Sequence, residues 1–133
     1  MAKRFLLVTN NDKAFERYGE HAKIGVNYLK EESFLGVLIR VRDLIHEGWH
    51  LMSHPQASNL KPNQSPYKTV LLSSGREAQP FSQDVAMVES SIDGFHKFTR
   101  DMIAPKWPEK TLRDFQTIDL SVVESAMERA LRL

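Results

Sequence analysis

Short clusters of hydrophobic residues occur along the chain, and their spacing predicts strands that alternate with helices. A compact apolar run over 4–9 is typical of a buried strand, and three residues that favour turns follow it: Asn10, Asn11 and Asp12. Asp12 is the predicted N-cap of a short helix that reaches Tyr18, and Gly19 is its predicted end. A second strand is predicted within 24–29.

The strongest helical pattern lies in the middle of the chain, where apolar residues recur on one face. Ser33 is a suitable N-cap for this helix and Gly48 a suitable end, while the charged residues of the segment fall on the other faces. The apolar face consists of Phe34, Val37, Leu38, Val41, Leu44 and Ile45. A helix between Ser33 and Gly48 is therefore predicted.

Two further strands are predicted at 49–53 and 67–73, where Tyr, Thr and Val favour a pleated sheet. The loop between them contains Pro55, Pro62 and Pro66, which exclude a regular helix. Because a parallel connection between two strands normally requires a helix, we expect these two strands to pair antiparallel.

Helices are also predicted in the last part of the chain. Ser82 is the predicted N-cap of a long helix that ends before Pro105 and has an apolar stripe of Val85, Val88, Ile92, Phe95 and Met102. A capping box from Ser121 to Glu124 is predicted to begin a final helix lined by Val123, Met127, Ala130 and Leu131.

This order of elements predicts an α/β fold with three layers, in which helices flank a mostly parallel sheet of about four strands. One strand of that sheet can be antiparallel. The length of 133 residues fits one domain, which we assign to 1–133, with 104–133 as a C-terminal helical extension.

The composition excludes several classes of protein. Lys plus Arg number 18 and Asp plus Glu number 17, so the chain lacks the one-sided positive charge on which non-specific nucleic-acid binding depends. The absence of cysteine excludes disulfides, thiol catalysis and sulfur-ligated metal sites. The apolar run near the start is too short for a signal peptide, and none approaches the roughly 20 residues that span a bilayer. We expect a cytoplasmic protein that contacts neither nucleic acid nor membrane and uses no cofactor.

Candidate chemistry is concentrated between Gly48 and Arg76, a stretch that contains no Asp or Glu. If the first and third strands run parallel, this stretch meets the end of the first strand at one sheet edge, the usual ligand crevice of α/β folds. Lys61 and Lys68 are candidates to bind a phosphate or carboxylate, or else are simply solvated; a lysine at the start of a strand is expected to be exposed. The candidate ligand site consists of Thr9, Asn10, Asn11, His54, Lys61, Asn63, Tyr67 and Lys68.

Histidines recur at positions 46, 50 and 54, a spacing that would form a metal-binding face on one continuous helix. Gly48 and Trp49 interrupt such a helix, so we assign His46 to a helix end and the other two to a strand and its exit. Residues four apart in a strand lie about 13 Å apart, so no metal site is predicted. His54 is instead a candidate acid, base or hydrogen-bonding group, or a structural loop residue.

Three segments resemble the GrdX-like family. They are the strand exit from Val8 to Asn11, the helix segment from Val41 to His50, and the loop from His54 to Lys68 that includes the run LKPNQSPYK. The resemblance covers about residues 4–75. It implies a small cytoplasmic protein encoded beside the glycine reductase complex of anaerobic bacteria, with an accessory role and components of that complex as partners.

These observations leave more than one function open. The first hypothesis is an accessory, non-catalytic protein that binds a small anionic ligand or a partner protein. The second is a small enzyme that acts on a phosphorylated or carboxylated metabolite, with His54 as acid or base and Lys68 stabilising negative charge. A third is a purely structural subunit. Because this chain has no thiol, it cannot itself carry the selenol or disulfide chemistry of a glycine reductase system, which favours the first hypothesis.

Overall fold

A computed structural model describes residues 3–56, 62, 64–75, 80–100 and 105–133 of the chain. Strands and helices alternate in its first half, as the hydrophobic pattern predicts, and three helices follow. In chain order the elements are β1 (Phe5–Thr9), α1 (Asp12–Tyr18), β2 (Ile24–Tyr28), α2 (Phe34–His46), β3 (His50–Leu51), β4 (Thr69–Ser73), α3 (Phe81–Thr99), α4 (Glu109–Val122) and α5 (Glu124–Arg132).

The four strands form one mixed sheet in the order β2-β1-β4-β3. Strand β1 pairs parallel with β2, whereas β4 pairs antiparallel with both β1 and β3. The predicted antiparallel pairing of β3 and β4 is thus confirmed, and the prediction of a mostly parallel sheet is wrong. The physical reason is that β4 enters the sheet between β1 and β3, so a single reversed strand makes two of the three pairings antiparallel.

Alternate residues of β1 contribute to two separate hydrophobic clusters. Val8 packs with buried residues of α2 and α3, whereas Phe5 and Leu7 pack with buried residues of α1, α4 and α5. Successive side chains of a strand point to opposite faces of the sheet. Two clusters of this kind are compatible with helices on both faces, and the three-layer arrangement stays a prediction.

Both ends of α2 lie where the sequence indicates. The Ser33 hydroxyl accepts a hydrogen bond from the backbone N–H of Gly36 at 3.1 Å, so Ser33 is the N-cap. Glu47 is the C-cap, and Gly48 follows it with φ at +112°. Side chains other than glycine rarely adopt a positive φ, which explains why the helix ends at this glycine.

Several predictions about the other helices are wrong in detail. Asn11, not Asp12, caps α1, and its side chain accepts from the N–H of Lys13. Helix α3 begins with Pro80 as its N-cap, so Ser82 lies inside it; Met102, predicted near its end, falls outside the described residues. Each of these N-caps lies one or two residues before the predicted one.

The segment 104–133 is predicted to be a helical extension, but a separate helix α4 within it is not predicted. This helix contains Ser121, whose hydroxyl donates to the carbonyl of Ile118 at 2.6 Å, so the predicted capping box does not form and α5 begins at Glu124. Only Gln116 and Leu120 of α4 are buried, so its apolar residues are less covered than those of α2. Leu120 nevertheless joins the second hydrophobic cluster, together with residues of α5. The domain division at residue 104 stays a prediction.

Candidate functional site

The carboxyl ends of β1 and β2 lie beside the beginning of β4. Thr9, the last residue of β1, is in register with Tyr28 of β2 and with Thr69 of β4. Strands β1 and β3 run in the same direction because each is antiparallel to β4. We call the polar residues that gather here the polar edge: Thr9, Asn10, Asn11, Tyr28, His54, Lys68, Thr69 and Asp119.

A chain of hydrogen bonds links two threonines of the polar edge to a carboxylate. The Thr69 hydroxyl donates to Asp119 Oδ2 at 2.6 Å, and the Thr9 and Thr69 oxygens are 2.7 Å apart. Because Thr69 has one hydroxyl hydrogen and Asp119 accepts it, Thr9 is the donor to Thr69. The Thr9 oxygen in turn accepts from the backbone N–H of Asn11 at 3.0 Å. Every hydroxyl in this chain therefore has a defined direction.

The Asn11 side chain holds α1 and α4 to the end of β1. Its oxygen caps α1, and its Nδ2 group donates to the carbonyl of Gln116 at 2.8 Å and to Asp119 Oδ2 at 3.0 Å. An asparagine amide has two hydrogens, and both are used here. Asn11 therefore positions the site, and its amide has no hydrogen left for a ligand.

Asn10 is used in the same way by the loop that precedes β4. Its Nδ2 group donates to the carbonyls of Glu32 and Pro66, at 3.0 and 2.9 Å, and its oxygen accepts from the N–H of Lys68 at 2.9 Å. Both amide hydrogens again bond to protein. Asn10 thus fixes the backbone around Lys68.

Lys68 is buried, and the expectation that it would be exposed is wrong. Its relative exposure is 1%, and its Nζ lies 5.4 Å from the ring centroid of Phe34. Loss of water around the ammonium lowers the pKa of Lys68 to about 8, and the charge of Asp119 opposes this shift. Lys68 directly precedes β4, and Asn10 binds its backbone N–H, which holds this residue against the end of β1.

Asp119 is the member of the polar edge that sequence reasoning missed. Burial raises the pKa of Asp119, against the opposing effects of the hydrogen bonds from Thr69 and Asn11 and the charge of Lys68. It lies on α4, which is not predicted as a separate helix. The available signal for the helix was the helical spacing of Leu112, Phe115, Ile118 and Val122 around it, which the prediction did not use.

His54 lies on the exposed side of the same edge. Its Nδ1 accepts a hydrogen bond from the N–H of Gln56 at 3.0 Å, so the neutral ring carries its hydrogen on Nε2. Partial burial, together with the charge of Lys68, lowers the pKa of His54. The ring is consequently neutral at pH 7 and offers one N–H donor.

Two tyrosines complete the surroundings. The Tyr28 hydroxyl donates to Asp12 Oδ1, and the Tyr28 ring stacks on Phe15 with centroids 4.5 Å apart. Burial, this hydrogen bond and the charge of Asp12 raise the pKa of Tyr28, and Tyr67 adds to the shift. Tyr28, His54, Lys68 and Asp119 are all the described groups with a shifted pKa, and all four lie at the polar edge. Titratable groups of this kind gather at functional sites more often than elsewhere.

The remaining predicted site residues are not all described. Lys61 and Asn63 lie outside the described residues. Among the residues that the structure covers, no three His, Asp or Glu side chains form a group that could hold a metal ion. His46 ends α2 and His50 begins β3, as predicted, and His50 Nδ1 lies 3.2 Å from Asp84 Oδ2 on α3.

The stretch between Gly48 and Arg76 has no Asp or Glu of its own, but acidic side chains from other elements contact it. Asp84 of α3 contacts His50, and Asp119 of α4 accepts a hydrogen bond from Thr69. Tertiary structure therefore supplies the negative charge that the local sequence lacks.

Comparison with known proteins identifies the family. A family model for the GrdX-like protein matches residues 6–128. The chain belongs to the GrdX-like family. The match extends past the segments that carry the resemblance and includes α4 with Asp119. No curated protein and no solved structure matches the chain, and no helix in the described ranges has the length and apolar character of a membrane span.

Proposed function

We propose that this GrdX-like chain is an accessory, non-catalytic protein of the glycine reductase system that works in the cytoplasm. Family membership supports the accessory role. The chain contains no cysteine, so any thiol step of that system takes place on another protein. We further propose that it binds a small anion of the phosphate or carboxylate class at the polar edge.

The buried ammonium of Lys68 is the observation that supports an anion most directly. Its burial does not by itself call for a ligand, because the charge of Asp119 already acts on it; what Lys68 offers an anion is a positive charge at the polar edge. With its pKa near 8, Lys68 remains mostly protonated at neutral pH. Burial in a region of low dielectric makes its field stronger at short range than that of an exposed lysine.

Two neutral donors suit the same ligand. Exposed His54 of the polar edge offers its Nε2–H, and half-buried Tyr67, which directly precedes Lys68 in the sequence, offers a hydroxyl. A phosphate or carboxylate placed at His54 would receive a hydrogen bond there and also feel the charge of Lys68. Neutral donors around a single buried cation favour a small anion over a large polyanion.

One observation favours the alternative, a small enzyme acting on a phosphorylated or carboxylated metabolite. A histidine with a lowered pKa and one defined N–H can act as acid or base near neutral pH. Lys68 would then stabilise developing negative charge. Turnover of acetyl phosphate that is lost in His54→Gln would favour this alternative, whereas binding without turnover would favour the accessory role.

The proposal is tested by anion binding at low salt. The melting temperature of the protein is measured with sulfate, inorganic phosphate, acetyl phosphate and glycine, and calorimetry is then run on any compound that raises it. We expect at least one anion to stabilise the protein, and Lys68→Met to weaken its binding by about 1.5 to 3 kcal/mol, the range for a hydrogen bond to a charged group.

Two controls accompany this measurement. Lys110→Met removes an exposed lysine on α4 and should leave binding unchanged. Because Lys68 is buried, the urea midpoint of Lys68→Met is measured separately, so that loss of folding is not mistaken for loss of binding. If none of the anions raises the melting temperature at low salt, the proposed ligand class is wrong and a partner protein becomes the better hypothesis.

A further inference from the structure

Strand β2 is an edge strand, and one side of it pairs with no other part of the described chain. The order β2-β1-β4-β3 gives β2 a single neighbour, β1, and among the described residues no backbone group of 24–28 hydrogen-bonds to a loop or helix. We call this side the open side of β2. At the other edge of the sheet β3 is only two residues long, so the open side of β2 is the longer edge.

The backbone groups on the open side belong to alternate residues of β2. The N–H of Leu29 bonds to the carbonyl of Thr9 at 2.7 Å, which continues the parallel ladder with β1 just past the end of the strand. The backbone groups of successive residues in a strand point to opposite sides, so those of Ile24, Val26 and Tyr28 point away from β1. Three N–H groups and three carbonyls therefore face outward at this edge.

Strand β2 lacks the features that usually protect an edge strand. Such strands carry a charged residue, a proline or a bulge, or are very short. The five residues of β2, IGVNY, include no charge and no proline and pair with β1 in unbroken register. A glycine such as Gly25 weakens a strand and often marks the close approach of another backbone. A Cβ at Gly25 would lie 3.5 Å from Leu6 Cδ1, an ordinary contact, so packing within the chain does not require this glycine.

An acidic groove of about 260 Å³ lies at the carboxyl end of β2. It is lined by residues of α2 and of the segment between β2 and α2: Leu29, Glu32, Gly36, Ile39, Arg40 and Asp43. Arg40 bonds to Asn27 and pairs with Glu47, whereas neither Glu32 nor Asp43 forms an ion pair within the described residues. The two carboxylates give the groove a net negative charge.

We propose that β2 pairs antiparallel with β2 of a second copy of this chain, and that Lys23 of each copy binds in the acidic groove of the other. The two-fold axis of this dimer passes through Val26. Ile24 then lies opposite Tyr28 of the second copy, and all the backbone groups of the open side form hydrogen-bonded pairs. This inference goes beyond the proposed anion site and does not depend on it.

Lys23 is the residue that favours a second copy over any other extended partner. In the proposed register it lies opposite Leu29 of the second copy, on the face of the sheet where Leu29 packs against the cluster of α2 and lines the groove. Lys23 is exposed and forms no ion pair within the described residues. It cannot reach the groove of its own chain, because six residues of extended strand place it about 20 Å from Leu29. The positive charge and the acidic groove therefore match between copies.

Sedimentation velocity over a range of protein concentrations tests the dimer. Wild type should show a concentration-dependent species with twice the mass of one chain. Lys23→Glu should weaken dimerisation about tenfold, because it places a carboxylate next to Glu32 and Asp43. Adding Glu32→Lys to the same chain should restore part of the loss. Lys110→Glu, an equal change of charge at an exposed position of α4, is the control and should have no effect.

Hydrogen exchange on wild type tests the location of the interface without any substitution. In concentrated protein the amides of Ile24, Val26 and Tyr28 should exchange at least about tenfold more slowly than in dilute protein, because the second copy covers them. The amides of Gly25 and Asn27 point to β1 and should be protected at both concentrations. This alternation is specific to pairing through the open side of β2.

Two results would overturn the inference. A monomer at every concentration would exclude a second copy and leave an extended segment of another protein as the occupant of the open side. A dimer in which exchange at Ile24, Val26 and Tyr28 does not change with concentration would show that the copies associate through another surface.

Discussion

Helices α2 and α4 have nearly equal lengths, 13 and 14 residues, but they are buried in different ways. Helix α2 buries an unbroken apolar face of six residues, whereas α4 buries Gln116 and Leu120 and carries the half-buried Asp119. The spacing of the apolar residues predicts α2 within one or two residues at each end. No separate helix is predicted over α4. An apolar face can be recognised without knowing what covers it, but a polar face is stable only with particular partners, and those partners come from elsewhere in the chain.

The two helices also differ in how they contact the rest of the fold: α2 by apolar packing and α4 by hydrogen bonds. Leu38 and its neighbours pack against apolar side chains of β1, β4 and α3, many combinations of which would serve. Asp119 and the Gln116 carbonyl bond to Asn11, and Asp119 also bonds to Thr69. Hydrogen bonds require a donor and an acceptor at a fixed distance, so these contacts are specific to the assembled fold.

The largest expected loss of stability comes from a substitution in the apolar face of α2. Leu38→Ala should lower the free energy of unfolding by about 2 to 5 kcal/mol, because the fully buried side chain leaves a cavity. Urea denaturation measures it. Leu35→Ala, at a half-buried position of the same helix, is the control and should cost less. Equal losses at the two positions would mean that the cluster closes around the smaller side chain.

A smaller effect is expected for Asn11, whose side chain holds α4 in place. Asn11→Ala should cost about 2 to 3 kcal/mol, since it removes the N-cap of α1 and two hydrogen bonds to α4. Hydrogen exchange should also speed up along α4. Asn27→Ala loses a single bond, to Arg40 Nε, and serves as the control. A loss at Asn11 no greater than at Asn27 would contradict the view that Asn11 holds α4 in place.

The smallest effect concerns two serines that the sequence predicts as helix N-caps. Ser33 is an N-cap in the structure, and Ser121 is not. Ser33→Ala should destabilise the protein by about 1 kcal/mol because it removes the N-cap bond of α2. Ser121→Ala should change stability by no more than about 0.5 kcal/mol, because Ser121 is exposed and only bonds to its own helix. The difference between their melting temperatures is the measurement, and a reversed order would indicate that the capping box forms in solution.

Much of the polar edge could be predicted from the sequence. The prolines between β3 and β4 exclude a helical crossover, so the antiparallel return of β4 and the approach of Lys68 to Asn10 follow from local rules. The roles of Asn10 and Asn11 could not be predicted in this way. Their side chains look available in the sequence, and only the assembled structure gives all four amide hydrogens protein acceptors.

The burial of Lys68 is likewise a result of the assembled structure. A lysine is usually exposed, and no local pattern indicates otherwise. Lys68 is buried beside Phe34 of α2, which precedes it in the sequence, and it is affected by the charge of Asp119 of α4, which follows it.

The sequence by itself determined the strands and helices of the first half, the end of α2 at Gly48 and the family resemblance, because apolar periodicity and glycine or proline geometry act over a few residues. The tertiary structure alone decided the insertion of β4 between β1 and β3, the place of α4 and the electrostatic surroundings of Lys68. Those features depend on contacts between residues that are far apart in sequence, such as Thr69 and Asp119, which are 50 positions apart. Their strength depends on distance and burial, which a linear sequence does not specify.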